Sequence, residues 1–163
     1  MRKKIVVCLL AFLSLLFLNK TFSQEINKNN IVGIWQVSTS STGSALLAHY
    51  RFFSNGKFIY NFNAYDNTSR IRSAGGLYKL KGNHLQLYIT YRTELSGGDL
   101  VQGALGFQQE EVVLEGAKLI KITQSTKDPI ELTIQSCKTK NPVKCMKLQN
   151  NVYYKISKNP EEE

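Results

Sequence analysis

The sequence predicts an all-β fold, a single antiparallel up-and-down β-barrel of about eight to ten strands. Three observations lead there. Short runs rich in Val, Ile, Tyr, Phe and Thr follow one another, bounded by Gly, Asn and Ser. Turn pairs that tolerate positive φ, such as Asn55-Gly56, recur between these runs. No stretch carries an apolar stripe at helical spacing.

In chain order, the first element is a leader. Arg2, Lys3 and Lys4 form a basic start, Ile5 to Leu18 is an apolar run, and Thr21-Phe22-Ser23 offers small side chains for cleavage near Ser23 or Gln24. The apolar run stops at Asn19-Lys20, short of the roughly 20 residues a bilayer core requires. Residues 1–23 are therefore expected to be a signal peptide, which leaves no membrane span and places the protein in the periplasm or outside the cell. Residues 24–30 read as a flexible lead-in, 31–158 as the β-barrel domain and 159–163 as a disordered acidic tail.

The strands follow. Gly33 to Ser40 opens the barrel with Trp35 and Val37 on one face. Leu46 to Phe53 and Lys57 to Tyr65 flank Asn55-Gly56, the strongest short hairpin signal in the chain. Gly76 to Leu80 and His84 to Ile89 flank Lys81-Gly82-Asn83, and Val112 to Leu114 and Leu119 to Ile122 flank Glu115-Gly116. Ile130 to Gln135, Cys145 to Leu148 and Val152 to Ser157 complete the set, while Thr93 to Phe107, with its four glycines, reads as a long loop.

Side chains two apart share a face of a strand. With Phe52 and Phe58 inward across the Asn-Gly turn, Tyr50, Tyr60 and Phe62 also face inward, and His49, Arg51, Asn61 and Asn63 face solvent. In the next hairpin Tyr78, Leu80, Leu85, Leu87 and Ile89 form the apolar face, leaving Lys79, Lys81, His84 and Gln86 outside. A meander with one apolar face must close on itself or stack as a sandwich, and closure is favoured here because it removes the edges.

The formal charge of +9 falls to roughly +5 once the leader takes four of the 21 basic residues, against 12 acidic ones. The remaining Lys and Arg are scattered singly along the strands, the pattern of a solvated surface, and no nucleic-acid partner is expected. Removing Cys8 leaves Cys137 and Cys145, an even pair in a chain bound for an oxidising compartment, and a disulfide between them is expected. His49, His84 and these cysteines have no metal-ligand spacing, so neither a metal nor another cofactor is expected.

Three stretches, Gly33-Ile34-Trp35, Phe52-Phe53-Ser54-Asn55-Gly56-Lys57-Phe58 and Gly76 through Leu87, resemble the lipocalin-like family of small exported bacterial proteins, part of the wider calycin group. The resemblance covers the first half of the mature domain. It implies that Trp35 plugs the closed end of the barrel with a late basic residue, Lys155, packed over it, and that a small apolar ligand is held inside.

Function is weighed among three classes. A binding module would hold a small hydrophobic molecule against Trp35, Tyr50, Phe52, Phe58, Tyr60, Phe62, Tyr78 and Leu87, although the same side chains would serve equally to fill an eight-stranded core. An interaction protein of the cell envelope would use exposed aromatics at Tyr88 to Arg92, Tyr153 and Tyr154. An enzyme is not expected, because no titratable pair shares a pocket: Asp66, Glu94, Asp99, Glu110, Glu111 and Glu115 fall in loops or charged runs. No catalytic residue is assigned. Asn67-Thr68-Ser69 reads as a turn.

Overall fold

The computed structural model describes residues 25–37, 47–66, 68–102, 112–124, 126–137 and 144–162. The leader, and Glu110, Glu111, Asn67 and Glu163, lie outside them. The strands are β1 (Gly33–Val37), β2 (His49–Phe52), β3 (Lys57–Asn61), β4 (Ile71–Lys81), β5 (His84–Ser96), β6 (Asp99–Gln102), β7 (Val112–Glu115), β8 (Lys118–Thr123), β9 (Ile130–Ser136), β10 (Cys145–Leu148) and β11 (Asn151–Ser157). Eight of them close an antiparallel barrel in the order β1-β2-β3-β4-β5-β9-β10-β11 and back to β1.

Local chemistry sets the register of each hairpin. At Asn55-Gly56 the glycine takes φ 79°, its amide donates to the Phe53 carbonyl at 3.2 Å, and Phe52 lands opposite Phe58. Gly82, at φ 57°, does the same work in the turn that sets Lys81 opposite His84. The expected inward face follows: Phe52, Phe58, Leu80, Leu85 and Leu87 are buried in one cluster, joined by Leu132, Ile134, Met146 and Leu148 from the second half.

Where the lead-in meets the barrel, Lys28–Ile31 form a single helical turn, α1, whose cap residue Asn27 accepts from the Asn29 and Asn30 amides while the Asn30 side chain accepts from the Asn27 amide. Four residues are too few to show a helical period. After β11, Arg51 Nε donates to the Pro160 carbonyl at 2.6 Å and Ser157 Oγ donates to the Glu162 carboxylate. Several expectations are corrected. Thr93 to Ser96 continue β5, and Asp99–Gln102 are strand β6, so the described part of the predicted long loop is largely strand, and 103–107 lie outside the described residues. Finally, β7 and β8 do not pair across Glu115-Gly116: β7 pairs with β6, and β8 with β5.

Strand β5 carries two partners along one flank. Its first half, His84 to Leu87, pairs with β9, and its second half, Tyr91 to Ser96, pairs with β8. Both partners run antiparallel to it, so β8 and β9 are one interrupted strand. The interruption sits opposite an irregularity in β5. Gly76 faces Ile89 but Gly75 faces Tyr91, which leaves Thr90 as an extra, bulged residue. The freed carbonyls are taken up by the break, with Gln124 N on Thr90 O at 2.8 Å and Thr126 Oγ1 on Ile89 O at 3.2 Å.

Cys137 and Cys145 form the expected disulfide, with Cα atoms 5.8 Å apart, tying the end of β9 to the start of β10. Closing so short a loop contributes about 2 to 3 kcal/mol. Reduction is expected to lower the unfolding free energy by that amount, measured as a shift of the urea midpoint at unchanged slope.

Candidate functional site

The two ends of the barrel differ. At one end α1 folds across the opening, and Ile26 and Ile31 seal it against Trp35, which is fully buried at 0% exposure. Trp35 Nε1 donates to the Ile31 carbonyl at 2.6 Å, and Lys155 Nζ donates to the Asn30 carbonyl at 2.8 Å while lying 5.4 Å from the centroid of the Trp35 ring. The last carbonyls of the helical turn are thus satisfied by an indole and a cation, both favourable at a helix C-terminus. Partial burial, with Lys144 and Lys158 nearby, holds the Lys155 ammonium below its usual value.

Among the described residues, the inward-facing side chains at the other end are half-exposed. The eight residues singled out from the sequence divide accordingly. Trp35, Phe52, Phe58 and Leu87 are buried in the core toward the closed end. Tyr78 is half-buried, and its hydroxyl is committed to the Phe53 carbonyl at 3.0 Å. Tyr50 and Tyr60 are half-buried above them, with ring centroids 4.5 Å apart. Phe62 lies beyond the end of β3 rather than in the interior, 38% exposed at the rim and edge-on to Tyr60 at 4.9 Å.

Tyr153 joins this group, contrary to its expected place on the outer surface. It is buried, opposite Val37 on β1 and Met146 on β10, and its ring meets Tyr50 at 5.2 Å. Alternation with Lys155, which packs on Trp35, carries the signal that it faces inward. Of the other aromatics expected on the surface, Tyr88 and Tyr91 are half-buried, with Lys79 Nζ 5.0 Å and Lys121 Nζ 3.9 Å above their rings.

A lateral row follows from the registers. Trp35 faces Tyr50, Tyr50 faces Tyr60, Tyr60 faces Ala74, Ala74 faces Arg92, and Arg92 faces Ile122. Directly opposed residues share a face, so Arg92 lies on the inner side. Glu94, two residues on, lies there too rather than in the loop expected for it. The bulge at Thr90 is the cause: plain alternation from Leu85, Leu87 and Ile89 would have turned Tyr91 inward and Arg92 out. Gly75-Gly76 within a strand was the available signal. Arg92 Nε lies 2.8 Å from Glu94 Oε2, but the N–H is not aimed at that oxygen, and this buried nitrogen has no hydrogen-bond partner among the described residues.

Tyr50 and Tyr153 resist ionisation. Burial, then the neighbouring Tyr60, pushes Tyr50 well above the usual 10.0, and burial, then Tyr50 and Tyr60, does the same to Tyr153. The folded protein therefore keeps protons that the unfolded chain releases, so this contribution to stability is full below pH 10.0 and is lost as the pH rises past it. Lys155, lowered from 10.5, acts in the opposite sense over the pH range below that value. Alkaline unfolding curves are expected to show a loss of stability that the double variant Tyr50→Phe/Tyr153→Phe lacks.

Among the described residues no three His, Cys, Asp or Glu side chains are grouped to hold a metal ion. His49 and His84 lie on the outer side of the barrel, and His49 contacts Leu47 O and Asn61 Nδ2, each at 2.8 Å. Asp66 anchors the turn before β4: its Oδ1 accepts from Thr68 Oγ1 and from the Thr68 and Ser69 amides, which holds its carboxyl below the ordinary value. Set beside known proteins, the chain matches no family model, no curated protein and no solved structure.

Proposed function

We propose that this protein is an exported lipocalin-like barrel that binds a small hydrophobic molecule at its open end and acts in the periplasm or outside the cell. One observation carries the reading. Inward-facing side chains are sealed at the α1 end and half-exposed at the other, where Tyr50, Tyr60, Val37 and Ile89 leave apolar surface accessible on the inner face. A concave, mostly aromatic wall reached from one side is the form a small-molecule site takes. The contact of Lys155 with Trp35 supports the likeness to lipocalin-like proteins, and the Cys137–Cys145 bond suits an oxidising compartment.

Native mass spectrometry of the mature protein purified from its own host tests the reading. A bound organic molecule released on denaturation is the expected result. A protein that is empty there, and that takes up no apolar probe when titrated, would shift the assignment to an envelope interaction protein with a filled core. That second reading draws on the exposed Leu77, Leu100 and Leu119 of β4, β6 and β8.

A further inference from the structure

Past the bulge in β5 the sheet ends in a free edge. Strand β9 is followed by β10, whereas β8 pairs with β5 alone and no other described strand lies beside it. We propose that this edge of β8 receives an extended acidic segment of a partner protein as an added strand, with carboxylates opposite Lys118 and Lys121 and apolar residues beside Leu119 and Ile120. The inference concerns the outside of the barrel and goes beyond the binding-module reading, holding whether or not a small molecule enters the interior.

The backbone is the first support. The Gln124 amide donates to the Thr90 carbonyl at 2.8 Å, one position beyond the opposed pair Tyr91 and Thr123. Antiparallel ladders bond at every second residue, so Ile122, Ile120 and Lys118 aim their amides and carbonyls at β5. Those of Leu119, Lys121 and Thr123 aim the other way, along the free edge. Such a row is a template for an incoming strand, and proteins commonly cover it or set a charge across it. Here it is uncovered: Leu119 is 62% and Ile120 39% exposed, on opposite faces of the strand. Lys121 draws its head back over its own sheet, with Nζ 3.9 Å from the centroid of the Tyr91 ring, and leaves the edge open.

Charge selects the partner. Strand β8 carries two lysines and no acid. Across the ladder Lys118 faces Ser96 and Lys121 faces Thr93, so neither has a carboxylate directly opposite, and neither forms an ion pair with a described residue. Opposite charges across a strand pair stabilise it and like charges oppose it. A second copy of β8 would bring the same two lysines with no acid to compensate, which disfavours self-pairing. Residues three apart lie on opposite faces of a strand, so the matching segment has two acids three residues apart, with apolar residues between them to cover Leu119 and Ile120. The exposed contact of Lys121 with Tyr91 is weak enough to yield to a carboxylate.

Fluorescence anisotropy of the mature protein with a short capped peptide of valine and threonine, carrying two glutamates three residues apart, tests the proposal. Saturable binding is expected, about tenfold tighter than that of the same peptide with lysines for glutamates. The double variant Lys118→Glu/Lys121→Glu, altered only at exposed positions, should reverse that preference. Strand addition has its own signature: N-methyl groups on the alternate amides that face β8 should abolish binding, while the same groups on the other set leave it unchanged. Amide exchange at Leu119 and Lys121 should slow when the peptide binds. No binding of the acidic peptide, or equal binding of both peptides, would overturn the proposal. So would equal tolerance of the two N-methyl patterns, which would mean charge attraction without an added strand. A protein that is already dimeric, and that the peptide makes monomeric, would give the edge to a second copy instead.

Discussion

Trp35→Ala is expected to lower the unfolding free energy by about 3 to 5 kcal/mol, the range for deleting a large aromatic side chain from a core. The site has little capacity to collapse around the loss. The ring is fully buried and packs the helical turn onto the seam that β1 makes with β11. Truncation leaves the Ile31 carbonyl without its 2.6 Å donor and removes the surface on which Lys155 rests. A domain of this size has about 5 to 15 kcal/mol in total, so the variant would sit near its unfolding threshold. Trp35→Phe keeps most of the packing and loses only the N–H, and it should cost about 1 to 3 kcal/mol. Denaturant unfolding of the two variants checks both figures. A loss below about 1 kcal/mol for Trp35→Ala would mean that the α1 end is not sealed by this ring.

Gly76→Ala is expected to be nearly as damaging, at about 3 kcal/mol or more, by a different mechanism. The obstacle is backbone: the added methyl would meet the Tyr88 carbonyl and come within 2.9 Å of the Thr90 amide. Neither atom can swing aside as a side chain would, so the β4–β5 ladder must part at the bulge. Gly82→Ala is the control, since nothing lies within 4 Å of its Cβ position and its φ of 57° costs only the ordinary strain of a left-handed residue. If Gly76→Ala costs no more than Gly82→Ala in the same denaturant titration, the close approach of β4 and β5 at this point is wrong. Because the bulge decides which face Arg92 occupies, Gly76→Ala should also impair the open end where folded protein survives.

The legibility of this fold in its sequence follows the length scale of each signal. Hairpins closed by tight turns were readable, because Asn55-Gly56 and Gly82-Asn83 set both turn and register, and alternation then sorted Phe52 from Arg51 and Leu85 from His84 without ambiguity. Barrel closure was readable as the remedy for open edges. Features that break a period were not. Strand β5 was cut short at Ile89 because the bulge at Thr90 interrupts the alternation, and the error carried Glu94 into a supposed loop and Arg92 onto the supposed surface. Tyr153 was misplaced although a signal existed: Lys155, expected over Trp35, stands two residues on and shares its face, and the pairing of Tyr153 with Val37 agrees. The helical turn at Lys28–Ile31 is too short for periodicity, although its Asn27 and Asn30 form a capping box built from asparagines rather than the usual Ser and Glu.

The pairing of β1 with β11 also governs how the chain reaches this state. Ile34 meets Ser157 and Trp35 meets Lys155, so the seam of the barrel is made by segments from the two ends of the domain. Bringing such distant segments together carries a loop-closure cost that local hairpins do not, and folds dominated by such contacts form in milliseconds to seconds. Hairpins such as β2–β3 and β4–β5 can assemble as soon as their own residues are available. Trp35 cannot, because the residue that faces it and packs on its ring, Lys155, belongs to the last strand. A chain made from its N-terminus therefore holds its largest aromatic side chain without its full cover until Val152–Ser157 are available, so the ring that seals one end is among the last to be packed.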